Sequence, residues 1–404
     1  MLLFFADAIE ESELALLESK GHRCVVAGRD DAALVAEEAV NADVLIVRST
    51  RVTREMMEAS PDLGLIIRAG AGTDTIDVEA ASELGIYVCN VPGQNAVAVA
   101  ELTMGLILAL DRLIPESTAD LKRSTWDKAR YSKASGLKGR NIGILGFGSI
   151  GQEVATRAAS FGLVVHGLRR DDRDPETTSS LSESGVIWHA STQELLAVAD
   201  IVTLHLPLTH DTKHIVNKQF LANMKRGAIL VNTARGGLVD EEALAEAMQT
   251  NDLRVGLDVY EAEPSQANTS WMPPVALSES FVGTHHIGAS TDQARTAVAR
   301  GVVRTIDGYE NGVPPNCVNI AVRPLGECAI AVRHKDEVGA LASVLSCLGS
   351  AGLNVQQMRN EIFEGLGTVA AVATIRVSQT PSPDTVKDLE AIPSVITVDL
   401  LTSS

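Results

Sequence analysis

The sequence predicts an α/β protein: two lobes, each a parallel sheet wound with helices, followed by a smaller α+β domain. Three observations carry that class. Short apolar runs alternate with polar or glycine-rich joints and helical stretches from the N-terminus to Ile287. One of those runs, Ile142–Leu145, enters the glycine-spaced turn Gly146-Phe147-Gly148-Ser149-Ile150-Gly151. Residues 325–404 then change rhythm and read strand, helix, strand, strand, helix, strand.

In chain order, Leu2–Ala6, Val44–Arg48, Leu65–Arg68 and Ile86–Cys89 read as strands of the first lobe. Asn95–Arg112 is one helix, apolar nearly all round, and therefore an interior element, read here as a crossover between the lobes. The second lobe reads Ile142–Leu145, Val164–Leu168, Ile201–Leu204, Ile229–Asn232 and Val255–Val259 as strands, with helices between them. A helix over Ala289–Asn311, closed by Asn311-Gly312 ahead of Pro314-Pro315, carries the chain back to the first lobe. The expected division is 1–94 with 289–318 as a substrate lobe, 95–288 as a dinucleotide lobe, and 325–404 as a separate domain. In that last part the strands are Cys328–Val332, Val355–Glu361, Val369–Val377 and Val395–Leu401, with helices Gly339–Ala351 and Asp384–Ala391. The order is that of a ferredoxin-like unit.

The glycine turn has a physical purpose. Gly146 permits a tight turn, Gly148 lets the backbone approach a pyrophosphate, and Gly151 lets helix and strand pack closely. The helix opening at Ser149 and Ile150 aims its free N–H groups at the phosphates. Beyond the next strand, where an NAD-preferring chain usually places a carboxylate for the adenosine ribose, stand Arg169 and Arg170. A guanidinium cannot accept those hydrogen bonds but suits a 2′-phosphate, which tilts the reading from NAD toward NADP. The competing reading makes both arginines solvated surface, with Asp171 or Asp172 reaching the ribose.

Composition sets the outer limits. The chain has 404 residues, 45% of them hydrophobic but only 3% aromatic, so its cores are built from Ala, Val, Leu and Ile. A net charge of −18 argues against nonspecific nucleic-acid binding, which needs a basic face. The five scattered cysteines contain no C-x-x-C, so neither a disulfide framework nor a metal site is expected. No basic region precedes the first apolar run and Leu102–Leu110 is too short to span a bilayer, so the expectation is a cytoplasmic protein without a membrane partner.

Three strand ends of the second lobe carry chemistry. Arg235 follows Ile229–Asn232, where open α/β sheets hold ligands, and either binds an anion or makes a surface ion pair. Glu263 lies in a carboxylate-rich stretch after Val255–Val259 and by local pattern is equally a solvated loop charge. His285 and His286 close the apolar run that begins at Val282, and histidine is the natural base near neutral pH. Taken together, a carboxylate clamp, an orienting carboxylate and a base are what oxidation of a 2-hydroxy acid requires.

With these motifs the chain resembles the D-isomer-specific 2-hydroxyacid dehydrogenases. The likeness rests on Gly146–Gly151, His205-Leu206-Pro207-Leu208-Thr209, Asn232-Thr233-Ala234-Arg235-Gly236, Asp258 through Pro264, and His286-Ile287-Gly288. The resemblance implies that Arg235 binds the substrate carboxylate, that His286 takes the hydroxyl proton, and that Glu263 pairs with His286. It implies cofactor contacts from His205, Pro207, Thr233, Asp258 and Gly288. Leu45–Thr50 and Ile67–Asp74 resemble the substrate lobe of the family's D-3-phosphoglycerate-oxidising branch. On that likeness Arg48, with Ser49, and Arg68 face a 3-phosphate, while the amides of Gly70 and Ala71 lie near the carboxylate; the alternative is arginines in lobe ion pairs.

The final domain is similar to ACT domains through Val332–Gly339 and Gly352–Val355. Such domains commonly pair across subunits and bind small amino acids, which here implies a serine effector at His334, Asp336 and Asn354. Asp336 and Val338 depart from the pattern of serine-inhibited relatives, where asparagine and proline are usual. The implied activity is oxidation of D-3-phosphoglycerate to 3-phosphohydroxypyruvate, the first step of L-serine synthesis, in a homo-oligomer, either dimer or tetramer. An NADPH-dependent glyoxylate or hydroxypyruvate reductase is the alternative that Arg169 and Arg170 favour. A non-catalytic dinucleotide-sensing corepressor is a further one.

Overall fold

A computed structural model describes residues 1–27, 39–170, 174–264, 268–321, 324–364 and 369–401. The chain divides into two compact units, Met1–Asn319 and Ile320–Ser404.

The first unit holds two parallel sheets. Its N-terminal sheet has β1 (Leu2–Phe5), β2 (Arg23–Val26), β3 (Val44–Val47), β4 (Leu65–Arg68) and β5 (Tyr87–Asn90), in the order β2-β1-β3-β4-β5. That is the flavodoxin-like order, and it reverses between β1 and β3, so a crevice opens at the carboxyl ends of those two strands. Apolar side chains cover both faces: Leu3, Phe5, Ile46 and Ile67 on one, Phe4, Leu45, Val47 and Ile66 on the other. A strand buried on both faces reads as a continuous apolar run, which is why these strands are visible in the sequence.

The second sheet contains β6 (Asn141–Leu145), β7 (Val164–Leu168), β8 (Ile187–His189), β9 (Ile201–Leu204), β10 (Ile229–Asn232), β11 (Arg254–Leu257) and β12 (Phe281–Gly283). Its order, β12-β11-β10-β9-β6-β7-β8, is the doubly wound dinucleotide-binding order extended by one strand. The switch falls between β6 and β9, directly above the glycine turn. The helix Ala96–Arg112 buries ten of its residues and packs on the helix Ser149–Ser160 and on β10 and β11. At roughly 1.5–3 kcal/mol for each fully buried Leu, Ile or Met side chain, that face alone fixes the helix in the interior. Leu113, in a left-handed conformation at φ 52°, ends it.

Several boundaries differ from expectation. Strand β8 is not among those the sequence predicts; it has three residues and lies at a sheet edge with Ile187 47% exposed, so it has no apolar run to announce it. Strand β11 ends at Leu257 rather than Val259. Strand β12 ends at Gly283, so the two histidines fall in a turn beyond it. The return helix begins at Asp292, capped by Thr291 Oγ1 accepting from the Ala294 amide at 3.1 Å, and ends at Glu310.

The second unit has β13 (Cys328–Lys335), β14 (Val355–Ile362), β15 (Ala370–Val377) and β16 (Val395–Leu401). They form one antiparallel sheet in the order β14-β15-β13-β16. Helices Ala340–Ser350 and Pro383–Glu390 supply Val344, Leu348 and Leu389 to its core. This is the ferredoxin-like arrangement. Strand β13 runs three residues beyond the expected Val332 and takes His334 into the sheet.

Candidate active site

Each glycine of the turn is explained by its surroundings. Gly146 has φ 102°, and a side chain there would collide with the His205 carbonyl. A side chain on Gly151 would collide with the Gly146 carbonyl, so strand β6 and the helix Ser149–Ser160 approach as closely as the backbone permits. Gly148 is different: nothing lies within 4 Å of where its Cβ would stand. Space at the middle glycine, in front of a helix N-terminus, is the form a pyrophosphate needs. The residues present therefore fit a dinucleotide.

Arg169 and Arg170 leave the end of β7 and are exposed, and the Arg169 amide donates to the His189 carbonyl at 2.9 Å. Asp171 and Asp172, the competing ribose partners, lie outside the described residues.

A cavity of about 300 Å³ lies at the carboxyl ends of both sheets. From the first sheet Arg48, Arg68, Gly70 and Ala71 line it; from the second, Ile150, His205, Pro207, Thr233, Arg235, Asp258, His286 and Gly288. Gly146, Gly148, Ser149, Gly151, Arg169, Arg170 and Ser49 are not among its walls.

Three guanidinium groups converge here. Arg68 lies over Gly70, in space that any side chain at position 70 would occupy, and its Nε is buried without a hydrogen-bond partner. Burial first, then the charge of Arg235 and less so of Arg48, lowers the Arg68 guanidinium to about 10, although Asp74 and Asp7 oppose this. Arg48 extends to Ser290 Oγ at 3.4 Å, while its amide and those of Ser49 and Thr50 all donate to Asp7 Oδ2 at 2.6, 3.1 and 3.4 Å. Asp7, which no motif in the sequence marks, thus shapes the loop that carries Arg48. Arg235 Nε donates to Asp74 Oδ2 at 2.6 Å and Nη1 to the Ala234 carbonyl at 2.8 Å. The ion pair and the cavity position coexist in Arg235, and Asp74 is the second partner the sequence did not announce.

His286 Nδ1 meets Glu263 Oε1 at 2.8 Å and Oε2 at 3.0 Å. Burial alone would raise the Glu263 carboxyl, but the His286 hydrogen bond and the charges of His286 and Arg235 hold it below the ordinary carboxylate range. His286 itself has φ 53°, a left-handed conformation that costs a non-glycine residue about 1–2 kcal/mol. The carboxylate of Asp258, 1% exposed, offsets that strain. It accepts from Thr284 Oγ1 at 2.6 Å, the Ile287 amide at 2.8 Å and the Gly288 amide at 2.8 Å, while its carbonyl accepts from the His286 amide at 2.7 Å. His285, one residue earlier, is exposed and absent from the cavity wall.

Besides Arg68, two residues of the cavity wall carry a buried polar atom without a hydrogen-bond partner, His205 and Asn95. Thr233 and Thr103 exchange a hydroxyl hydrogen bond at 2.9 Å beneath the cavity floor. His205 Nε2 is 3.0 Å from Thr203 Oγ1; its Nδ1 is buried without a partner, and burial lowers the ring to about 3. Asn95 Oδ1, at the start of the long helix, is likewise buried without a partner and its residue lines the cavity. Among the described residues no group of acidic, histidine or cysteine side chains is arranged to hold a metal ion. None of the described helices is long and apolar enough to cross a membrane.

In the second unit, His334 is 1% exposed; its Nδ1 lies 2.8 Å from the Lys335 carbonyl and its Nε2 3.1 Å from Asn360 Oδ1. Asp336 and Asn354 are exposed.

Residues 104–288 match the family described as D-isomer specific 2-hydroxyacid dehydrogenase, NAD binding domain. A D-3-phosphoglycerate dehydrogenase of Methanocaldococcus jannaschii is 42% identical over 334 residues, which cover 80% of this chain and 61% of that one. A hydroxypyruvate reductase of Thermotoga maritima is 44% identical over 267 residues, 65% of this chain and 83% of the relative. The D-lactate dehydrogenase of Aquifex aeolicus, solved with NAD and lactic acid, superposes with a TM-score of 0.68 at 25% identity, covering 80% of this chain and all of that one. The chain belongs to the D-isomer specific 2-hydroxyacid dehydrogenase family. Within it, D-3-phosphoglycerate dehydrogenases are relatives that match most of its length, although the chain spans only about three fifths of the Methanocaldococcus protein.

Proposed function

We propose that the chain oxidises D-3-phosphoglycerate to 3-phosphohydroxypyruvate with a nicotinamide dinucleotide, reversibly, as the first step of L-serine synthesis. The observation that carries this reading is the meeting of Arg48, Arg68, Arg235 and His286 on one cavity. A substrate with a carboxylate at one end and a doubly charged phosphate at the other uses all three arginines. Glyoxylate or lactate would leave two of them with no ligand anion and only the wall carboxylates, Asp7 and Glu10, to face, which is less favourable.

In this reading Arg235 clamps the carboxylate and polarises the C2 oxygen, with the Ala71 amide beside it, whereas the Gly70 amide donates to the Arg68 carbonyl at 2.8 Å. Arg48 and Arg68, supported by the Ser49 loop, take the phosphate. His286 uses Nδ1 to hold Glu263 and keeps Nε2 for the C2 hydroxyl proton; the Glu263 carboxylate stabilises the imidazolium that results. A dinucleotide held there would supply the acceptor for the C2 hydride. Gly146, Gly148, Ser149, Ile150 and Gly151 would seat its pyrophosphate, with His205, Pro207, Thr233, Asp258 and Gly288 along its nicotinamide half. Arg169 and Arg170 would read the 2′-phosphate of NADP. Changing Arg169 to Asp should then move the NAD-to-NADP preference about tenfold toward NAD, equivalent to about 1.4 kcal/mol; an unmoved ratio would count against the arginine.

Initial rates with 3-phosphoglycerate, run with NAD and NADP in parallel, test the proposal. Turnover with either nucleotide supports it, and the preferred nucleotide decides the role of Arg169. Turnover only with glyoxylate or hydroxypyruvate and NADPH would replace it by the reductase reading, which the Thermotoga relative favours. Dinucleotide binding with no turnover of any 2-hydroxy or 2-oxo acid would point to a sensing protein. The proposal extends to a cytoplasmic homo-oligomer with a substrate lobe of 1–94 and 289–318, a dinucleotide lobe of 95–288 and an ACT-like domain from 325. Serine would be its effector, met by Asp336, Asn354 and the His334 strand. Rates and melting temperature both unmoved by serine would remove that effector.

A further inference from the structure

Two cysteines outside the catalytic cavity face each other across the edge of the first sheet. Cys89, fully buried in β5, forms an isolated antiparallel bridge with Cys317, which follows the return helix and is partly exposed. The bonds around the bridge identify its type. The Val318 amide donates to the Val88 carbonyl at 2.8 Å and the Asn90 amide to the Asn316 carbonyl at 3.3 Å, leaving Cys89 and Cys317 as the non-hydrogen-bonded pair between them. Such pairs bring Cα atoms to about 4.5 Å, with their side chains on one face. That separation lies within the span a disulfide bridges without backbone movement.

The segment is also held in register. Asn319 Oδ1 accepts from the Val88 amide at 2.9 Å and from Cys317 Sγ at 3.2 Å, and its Nδ2 donates to the Ile86 carbonyl at 2.8 Å. Burial, then the neighbouring Cys317 side chain, raises the Cys89 thiol to about 12, which makes Cys89 the poorer first nucleophile. Cys317 is the sulfur an oxidant in solvent meets.

We propose that Cys89 and Cys317 are a peroxide-responsive dithiol whose disulfide staples the 316–319 segment to the edge of β5. In the first step the Cys317 thiolate attacks one peroxide oxygen; the O–O bond breaks, Cys317 becomes a sulfenic acid and hydroxide leaves to take up the thiol proton as water. In the second, Cys89 sulfur attacks the sulfenic sulfur, the S–O bond breaks, and the Cys89 proton leaves with the hydroxyl as a second water. Two thiols are oxidised by two electrons and one hydrogen peroxide is reduced to two waters. In a reducing compartment the pair rests as thiols, so the bond marks exposure to oxidant. The stapled strand also reaches the catalytic cavity, because Asn90, next to Cys89, donates from its side chain to the Ala71 carbonyl at 2.6 Å and so holds the cavity loop.

The test treats the reduced full-length protein with equimolar hydrogen peroxide, alkylates free thiols, and maps non-reduced peptides by mass spectrometry. The expected product is a Cys89–Cys317 peptide pair lighter by two hydrogens, released by dithiothreitol, with a raised melting temperature that the same reductant reverses. Cys317→Ser should abolish the linked pair, and Cys89→Ala should leave a sulfenic acid on Cys317 that dimedone traps. The Cys317 variant changes a partly exposed position and keeps the test valid if the buried substitution unfolds the chain. Alkylation of both cysteines after peroxide, over-oxidation of Cys317 with Cys89 still alkylated, or linkage to Cys24, Cys328 or Cys347 instead would overturn the proposal. A linked protein whose melting temperature does not move would overturn the stapling role.

Discussion

Asp258→Asn isolates how the fold holds its histidine. The native carboxylate accepts three hydrogen bonds, two on Oδ1 from Thr284 and Ile287 and one on Oδ2 from Gly288. An asparagine keeps the first two only by turning its NH₂ toward the Gly288 amide, donor against donor. One bond to a charged acceptor is lost, about 1.5–3 kcal/mol, and a buried N–H is stranded; allowing for overlap between these, the loss is about 2–4 kcal/mol. Because these bonds hold His286 in its left-handed conformation, turnover should fall together with stability. The assay is urea unfolding of the full-length protein without dinucleotide, where a lower midpoint at unchanged slope reports stability alone. Omitting the dinucleotide matters, since a residue serving only the cofactor would leave the free protein untouched. A loss below about 0.5 kcal/mol, the level of an ordinary surface change, would refute the anchoring argument.

Three further outcomes follow from the same geometry. Gly151→Ala should destabilise the free protein by about 2–3 kcal/mol through overpacking against the Gly146 carbonyl, whereas Gly148→Ala should leave its stability within about 0.5 kcal/mol and weaken only dinucleotide binding; calorimetric titration with unfolding curves separates the two. Arg68→Met should stabilise the free protein by about 1–2 kcal/mol, because a buried guanidinium nitrogen without a partner is replaced by an apolar chain, and should abolish saturation by 3-phosphoglycerate; a destabilised variant would contradict the first half. Glu263 governs an acid limb. A carboxyl lowered in the folded state contributes stability above its unfolded value of about 4.3, and that contribution is lost as pH falls through its folded value. Glu263 is 40% exposed and His286 49%, so the contribution stays under about 1 kcal/mol. The stability difference between wild type and Glu263→Gln should therefore shrink as pH is lowered through that range, and a pH-independent difference would exclude the pair as its source.

Features that rest on short-range pattern can be read directly from the amino-acid order. Strands such as Val44–Val47 and Leu65–Arg68 are legible because burial on both faces demands continuous apolar runs, and the long helix is legible because it is apolar nearly all round. The glycine turn is legible because backbone crowding at Gly146 and Gly151 admits no other residue. Edge strand β8 was not, since an edge needs neither apolar face complete. Pairings that span long stretches of chain emerge only on folding. Asp7 beneath Arg48 and Asp74 on Arg235 are separated by 41 and 161 residues, and Cys89 meets Cys317 from the far side of the second sheet's sequence. No local periodicity marks an acidic residue whose partner arrives from another strand end. The two sheets, folded so that their carboxyl ends share one cavity, turn these separate charges into a site.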